Sequence, residues 1–329
     1  MKFPLRDWIE AHAGCRHDLA SSGMREALPP PAWPRRRPHP DVADVLQVEL
    51  AEHLGVDPRR LFLTRGATEA NGLVLGHLAH RSRGRRPVLR VRAPEYPPLY
   101  DAGAAQGFAV RDGRARADVA VVSQPRNPEG DLWDRERLAA WADGAGELLV
   151  DETFREFAGT PTLSRVASAH RWTTGSFTKF FGADDVRVGF AVAPPESAEP
   201  FARYVGLVAD DLAPASAAMA LELLRRIGTV RRQVRAVVEP NLEALGALLP
   251  GRPRPSAPLC FDRPPAGDGD RLTGACLRAS VLVCPGSLFG DRSGVRLCLT
   301  RRDAPASLRA YARVRRAARD GGLRGRARV

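Results

Sequence analysis

Ser176-Phe177-Thr178-Lys179-Phe180-Phe181-Gly182, followed by Asp184-Asp185-Val186-Arg187-Val188-Gly189-Phe190-Ala191-Val192, is the most informative run of this chain. It places a lysine in an aromatic-rich turn just ahead of an apolar strand candidate. Lys179 is one of only two lysines, the other being Lys2, whereas lysine and arginine together number 50 in 329 residues. Arginine can replace lysine in most surface ion pairs, but it cannot form a Schiff base, which needs an amine able to lose its proton. Lys179 is therefore a candidate nucleophile and proton carrier, with survival by chance the alternative. Ser176 and Arg187, on either side of it, are both suited to holding a phosphate.

Working outward, short β-branched runs alternate with helical patterns. Val88–Val91, Val119–Val122, Leu148–Val150 and Val188–Val192 are predicted strands; Thr68–His80, Pro98–Gln106, Arg135–Asp143 and Ala215–Arg226 are predicted helices. This alternation predicts an α/β fold with a mainly parallel sheet flanked by helices, whose ligands gather at the carboxyl ends of the strands. After about Gly228 the order changes to a long helix through Leu249, a strand at Pro258–Phe261, a helix near Leu272–Ala279, and strands at Val281–Val283 and Val295–Leu299. That second part reads as a smaller α+β domain, and a cleft between the two is a natural site for a small molecule. The proline-rich stretch from Pro29 to Pro40 reads as an extended arm, and the arginine-rich tail after about Arg315 as a frayed end.

Of four further segments, one follows the apolar Leu61-Phe62-Leu63 and three lie at or just past the ends of predicted strands. Gly66-Ala67-Thr68-Glu69-Ala70-Asn71 opens a helix, where free N–H groups and the Thr68 hydroxyl can hold a phosphate; an ordinary turn is the alternative. Tyr96, in Ala93-Pro94-Glu95-Tyr96-Pro97-Pro98, can stack on a planar ring or simply pack. Asn127, in Ser123-Gln124-Pro125-Arg126-Asn127-Pro128-Glu129-Gly130, can donate to a phenolate or serve the turn. Asp151 ends an apolar strand, where a carboxylate needs a cation or a donor beside it.

Composition narrows the class. A hydrophobic fraction of 44% suits a chain with a large core. No stretch of about 20 apolar residues is present and the opening Met1–Asp7 lacks the apolar run of a secretory signal, so a soluble cytoplasmic protein without membrane association is expected. Five widely spaced cysteines without a Cys-x-x-Cys pair predict reduced core thiols and no metal site. The net charge of +12 comes from arginines spread along the chain, a pattern of coding bias more than of nucleic-acid recognition, so no nucleic-acid partner is expected.

Taken in order, these five segments resemble the fold-type I pyridoxal-5'-phosphate (PLP) enzymes of the aspartate aminotransferase superfamily. Within it the chain is most similar to the class I/II aminotransferases, in the branch with histidinol-phosphate aminotransferase and threonine-phosphate decarboxylase, from about Val42 to Thr300. The resemblance implies a large PLP-binding domain at 42–227, a small domain at 228–329, and an N-terminal arm at 1–41 contributing to the small domain and to a homodimer. It also implies that Ala67, Thr68, Ser176 and Arg187 bind the phosphate and that Tyr96 stacks on the ring. Asn127 would contact the ring hydroxyl, Asp151 would pair with the ring nitrogen, and Lys179 would carry the cofactor as a Schiff base. Arg296, in Gly294-Val295-Arg296-Leu297-Cys298-Leu299-Thr300, matches the arginine that grips the substrate carboxylate, with Asn127 beside it. Read singly, Arg296 is equally a surface charge on a strand.

The implied activity is transfer of an α-amino group from a small amino acid to a 2-oxo acid. Decarboxylation, elimination or oxidation on the same scaffold, and a non-catalytic PLP-fold regulatory protein, are the alternatives. Four departures from the family's pattern bear on the choice. Phe154 stands where a tyrosine is usual. Gln124 and Glu129 replace the usual Asn and Thr. Arg36-Arg37-Pro38-His39-Pro40 occupies the place of a tyrosine that reaches the partner's phosphate, and Ala20-Ser21-Ser22-Gly23 lacks a common asparagine.

Overall fold

The computed structural model describes residues 4–319 apart from 83 and 266. In chain order the first part contains α1 (Pro4–Ala11), β1 (His17–Asp18), α2 (Val42–Leu54), β2 (Leu61–Thr64), α3 (Ala67–Arg81), β3 (Val88–Val91), α4 (Pro97–Ala105), β4 (Ala109–Asp112), β5 (Ala117–Ser123), α5 (Arg135–Ala142), β6 (Ala145–Asp151), α6 (Arg155–Ala158), β7 (Arg171–Ser176) and β8 (Gly189–Val192). It continues with α7 (Ala198–Val208), α8 (Pro214–Arg225), α9 (Ile227–Leu248), β9 (Leu259–Asp262), α10 (Gly269–Arg278), β10 (Val281–Leu282), β11 (Cys284–Pro285), β12 (Val295–Cys298) and α11 (Ala304–Arg319).

Seven strands form one sheet in the order β2-β8-β7-β6-β5-β3-β4. Its middle strands are buried on both faces, which is why Val119–Val122 and Leu148–Val150 read as unbroken apolar runs. All neighbours are parallel except β8, which runs antiparallel to both β7 and β2. The carboxyl ends of β2, β3, β5, β6 and β7 and the amino end of β8 consequently share one edge. A three-stranded sheet, β11-β12-β9, and a parallel pair, β1 with β10, complete the molecule. Through that pair the N-terminal segment joins the C-terminal part, His17 opposite Val281 and Asp18 opposite Leu282.

Two sequence expectations need correcting. The strand β7, which leads directly to Lys179, is absent from the sequence-predicted set because its centre is Thr173 and Thr174; both are fully buried, their hydroxyls bonded to Ser164 and Asn71 at 2.8 and 2.6 Å. The chain end is not frayed at Arg315. That residue lies in α11 and its guanidinium donates to the buried Asp262 at 2.6 Å, as does the Tyr311 hydroxyl at 2.5 Å. The remaining arginine tail, 320–329, falls outside the described residues.

Candidate active site

The common edge of the large sheet collects the residues singled out from sequence. Asp151 is the last residue of β6 and Ser176 the last of β7, while Asn127 follows β5 and Tyr96 follows β3. Ala67 and Thr68 form the first turn of α3, just after β2, and the turn between β7 and β8 carries both Lys179 and Arg187. Each side chain is thus fixed by the end of a buried strand.

Lys179 is half-buried, and its Nζ donates to the Ser22 carbonyl at 3.1 Å. Backbone bonding ties down the segment that contains Ser22, with Met24 N–H donating to the Lys179 carbonyl at 2.9 Å. Gly23 sits at φ 120 with its Cα so close that a Cβ would lie 3.3 Å from Lys179 Cδ, a position suited to glycine. Burial lowers the Lys179 pKa; Asp184 opposes the shift and the nearby Arg296 and Arg187 reinforce it.

Asp151 is buried, its Oδ2 accepting from Asn71 Nδ2 and its Oδ1 from Thr153 N–H, both at 2.9 Å. Asn71 in turn accepts the Thr174 hydroxyl at 2.6 Å, so three elements hold the carboxylate. Burial and then Asp151 push the Tyr96 phenol up to about 12, with Arg296 and Arg187 opposing, which puts all four groups in one electrostatic neighbourhood.

At the end of β7, Ser176 Oγ donates to Thr178 Oγ1 at 2.9 Å and accepts from Thr178 N–H at 3.1 Å, closing the turn that presents Lys179. The exposed Arg187 has a left-handed backbone, φ 53, and its guanidinium donates to the Arg65 carbonyl at 3.2 Å. A Cβ on Gly66 would lie 3.0 Å from that guanidinium, and one on Gly189 would lie 2.5 Å from the Gly66 carbonyl carbon. Two glycines therefore let Arg187 lie against the first turn of α3, where Ala67 and Thr68 are exposed at least in part. A helix N-terminus beside a guanidinium makes an anion cradle.

Arg296, on β12, is 1% exposed, which removes the surface-charge alternative. Its partners are neutral: Asn127 Oδ1 at 3.3 Å, the Ala20 carbonyl at 2.9 Å and the Cys284 thiol at 3.2 Å, with the Phe289 ring 4.8 Å from the guanidinium carbon. Its Nε is buried without a hydrogen-bond partner among the described residues. A desolvated guanidinium supplied only with dipoles is arranged to receive a carboxylate.

Residues 109–300 match the family model of the aminotransferases of class I and II. The chain belongs to this family. Among the relatives of class I and II is threonine-phosphate decarboxylase of Pseudomonas aeruginosa, 30% identical over 218 residues; the match takes in 62% of this chain and 61% of that protein's length. Histidinol-phosphate aminotransferase of a Geobacter species is 27% identical over 294 residues, covering 80% of this chain and 79% of the relative. The fold agrees with a crystal structure of a PLP-dependent aminotransferase from Streptococcus suis, with a TM-score of 0.75, 20% identity and coverage of 96% of this chain and 98% of that one. It also agrees with L-threonine-O-3-phosphate decarboxylase of Porphyromonas gingivalis, with a TM-score of 0.64, 20% identity and coverage of 87% and 91%.

Class I/II membership brings PLP as the cofactor, and the donor set fits it. The orphaned guanidinium nitrogen, the desolvated amine, the buried carboxylate and the cradle between Gly66 and Arg187 supply complementary chemistry for a substrate carboxylate, an aldehyde, a ring nitrogen and a phosphate. Among the described residues no helix is long and apolar enough to cross a membrane, and no cluster suited to a metal ion is present.

Sequence reasoning missed three contributors. Asn71 was part of the quoted Gly66–Asn71 motif, and its polarity on a buried helical face was the available signal. The strap Ala20–Ser22 lacks the common asparagine, yet it serves Arg296 and Lys179 through the backbone carbonyls of Ala20 and Ser22. The thiols of Cys284 and Cys298, expected as core filler, both approach the Ala20 carbonyl, at 3.7 and 3.2 Å, beside Arg296. Of the departures, Gln124 brackets Trp133 with two hydrogen bonds of 2.7 and 3.2 Å. Glu129 pairs with Arg126 and Arg263 at 3.5 and 3.6 Å, Phe154 is buried beside Cys298 and Leu259, and Arg37 is exposed.

Proposed function

We propose that the chain is an aminotransferase that moves the α-amino group of a small amino acid to a 2-oxo acid, with Lys179 holding PLP as a Schiff base. The observation that carries this reading is the pairing of a lowered-pKa amine with a buried guanidinium whose partners among the described residues are neutral, both anchored to the same Ala20–Ser22 strap. When bound, PLP supplies an electron sink for the bond broken at the substrate α-carbon.

The protein's own groups divide the remaining work. Arg296 fixes the substrate carboxylate through its fork of N–H donors, which orients the α-carbon, and Asn127 buttresses that fork while offering its amide to the ring oxygen. Lys179, with its lowered pKa, spends more time as the free amine than an exposed lysine does, so it can both attack an aldehyde and take a proton from the α-carbon. Asp151, its side chain clamped by Asn71 and Thr153, would pair with the ring nitrogen. Ala67, Thr68, Ser176 and Arg187 would hold the phosphate, and Tyr96 would stack on the ring.

Decarboxylation is the second reading, favoured by the buried phenyl group of Phe154 at a position where the family usually has a phenol, and by the kinship to a threonine-phosphate decarboxylase. Two copies of the chain acting in the cytoplasm belong to the same proposal; sedimentation showing monomer alone would count against a shared site. Purified protein with PLP, a panel of amino acids, and 2-oxoglutarate or pyruvate tests the reaction. Amino exchange is expected. Carbon dioxide release without exchange would replace transamination by decarboxylation.

A further inference from the structure

The segment between β3 and α4 contains a buried carboxylate that the reaction above does not use. Glu95 is 1% exposed. Its Oε1 accepts the Tyr96 N–H at 2.8 Å and the Ser123 hydroxyl at 2.5 Å, and its Oε2 accepts the Ser123 N–H at 3.0 Å. With its proton committed to Glu95, the Ser123 hydroxyl accepts the Asn127 N–H at 2.7 Å. The Glu95 N–H donates to the Phe289 carbonyl at 3.1 Å, and the Phe289 ring lies under Arg296. Opposite stands Arg126, also 1% exposed, with Nε 3.7 Å from Glu95 Oε2, a terminal nitrogen donating to the Pro94 carbonyl at 2.5 Å, and its guanidinium carbon 4.4 Å from the Trp133 ring.

A buried carboxylate is costly unless its lone pairs and charge are matched, and here they are matched by the Tyr96 backbone, by Ser123, which in turn holds the Asn127 N–H, and by the Arg126 guanidinium. We propose that Glu95 is a positioning residue that sets Tyr96 and Asn127 relative to each other through Ser123, and joins both to Arg296 through Phe289. The proposal rests on the reading that Tyr96 and Asn127 face PLP and that Arg296 binds the substrate. Glu95 itself touches neither; it acts by fixing the atoms that do. Glutamine in its place keeps the volume, but in either amide orientation an NH2 group faces a backbone N–H, so one side of the relay must part.

The test compares holoprotein of the wild type, Glu95→Gln, Ser123→Ala and the double variant. Four quantities are read: the visible absorption of bound PLP, the PLP dissociation constant, KM and kcat for the amino donor, and the thermal midpoint. Each single variant is expected to shift the absorption maximum, weaken PLP at least about threefold and raise KM about tenfold with a smaller change in kcat. The double variant should lose little more than either single one, because both cut the same relay. Ser123→Ala, the milder change, decides the matter if Glu95→Gln folds poorly. Variants that melt earlier but keep wild-type absorption, PLP affinity and KM would assign Glu95 to stability alone and overturn the proposal, as would fully additive losses. A wild type that binds PLP but exchanges no amino group would instead refute the proposed reaction, leaving the absorption and affinity comparison to decide Glu95.

Discussion

Replacing Arg296 by alanine should cost far more than a surface charge is worth. The guanidinium is 1% exposed and its partners are an amide oxygen, a carbonyl and a thiol, so its charge is left for a ligand. Two charge-assisted hydrogen bonds to a carboxylate are worth about 1.5–3 kcal/mol each, and loss of both removes about 3–6 kcal/mol, or about a hundred- to a few ten-thousandfold in kcat/KM. Lysine keeps the charge but not the fork, and should lose about ten- to a hundredfold. The assay is the single-turnover change in PLP absorption with an amino acid, run beside the matching amine that lacks the carboxylate. Wild type should strongly prefer the amino acid, and the alanine variant should lose that preference. If Arg296→Lys retained wild-type kcat/KM, or Arg296→Ala still told the two ligands apart, the carboxylate assignment would be wrong.

Three other perturbations follow from the same geometry. Asn71→Ala removes one donor to Asp151 and strands the Thr174 hydroxyl, both buried; a loss of about 1–3 kcal/mol in stability and weaker PLP binding are expected from denaturant melts and titration. Gly189→Ala drives a Cβ to 2.5 Å from Gly66 backbone, where nothing flexible can yield, so about 1–3 kcal/mol or more of stability should go, together with phosphate affinity, as measured by thermal melting with and without PLP. In apoprotein, Lys179 has a folded pKa below its unfolded value, so the unfolded chain binds more protons between the two. Wild type should accordingly gain stability relative to Lys179→Met as pH rises through the folded pKa toward about 10.4; a constant difference between their melting curves across that range would show that the amine is not desolvated.

Much of the large sheet was legible because parallel strands buried on both faces must be apolar throughout. Val119–Val122 and Leu148–Val150 announce themselves, and the carboxyl ends they define pointed to Asn127 and Asp151. The strand that matters most to the chemistry, β7, was hidden because its centre is two threonines whose hydroxyls are satisfied by partners 9 and 103 residues away. The antiparallel course of β8 was invisible for a related reason, since local pattern carries no strand direction. Lys179 was found by residue type and context and Arg296 by the family resemblance, whereas Glu95, Asn71 and the Ala20–Ser22 strap act through contacts that only the folded chain creates. The strap's role was the least readable, because it serves Lys179 and Arg296 with backbone carbonyls, which every sequence possesses.

The account stands on a covalent link between PLP and a single amine. Borohydride reduction of the holoprotein, followed by proteolysis and mass spectrometry, measures that link directly, and with lysine at only two positions the labelled site is unambiguous. The pyridoxyl mass should appear on the peptide containing Lys179 and vanish in Lys179→Ala. Label on Lys2, or on no peptide while PLP is demonstrably bound, would contradict the account.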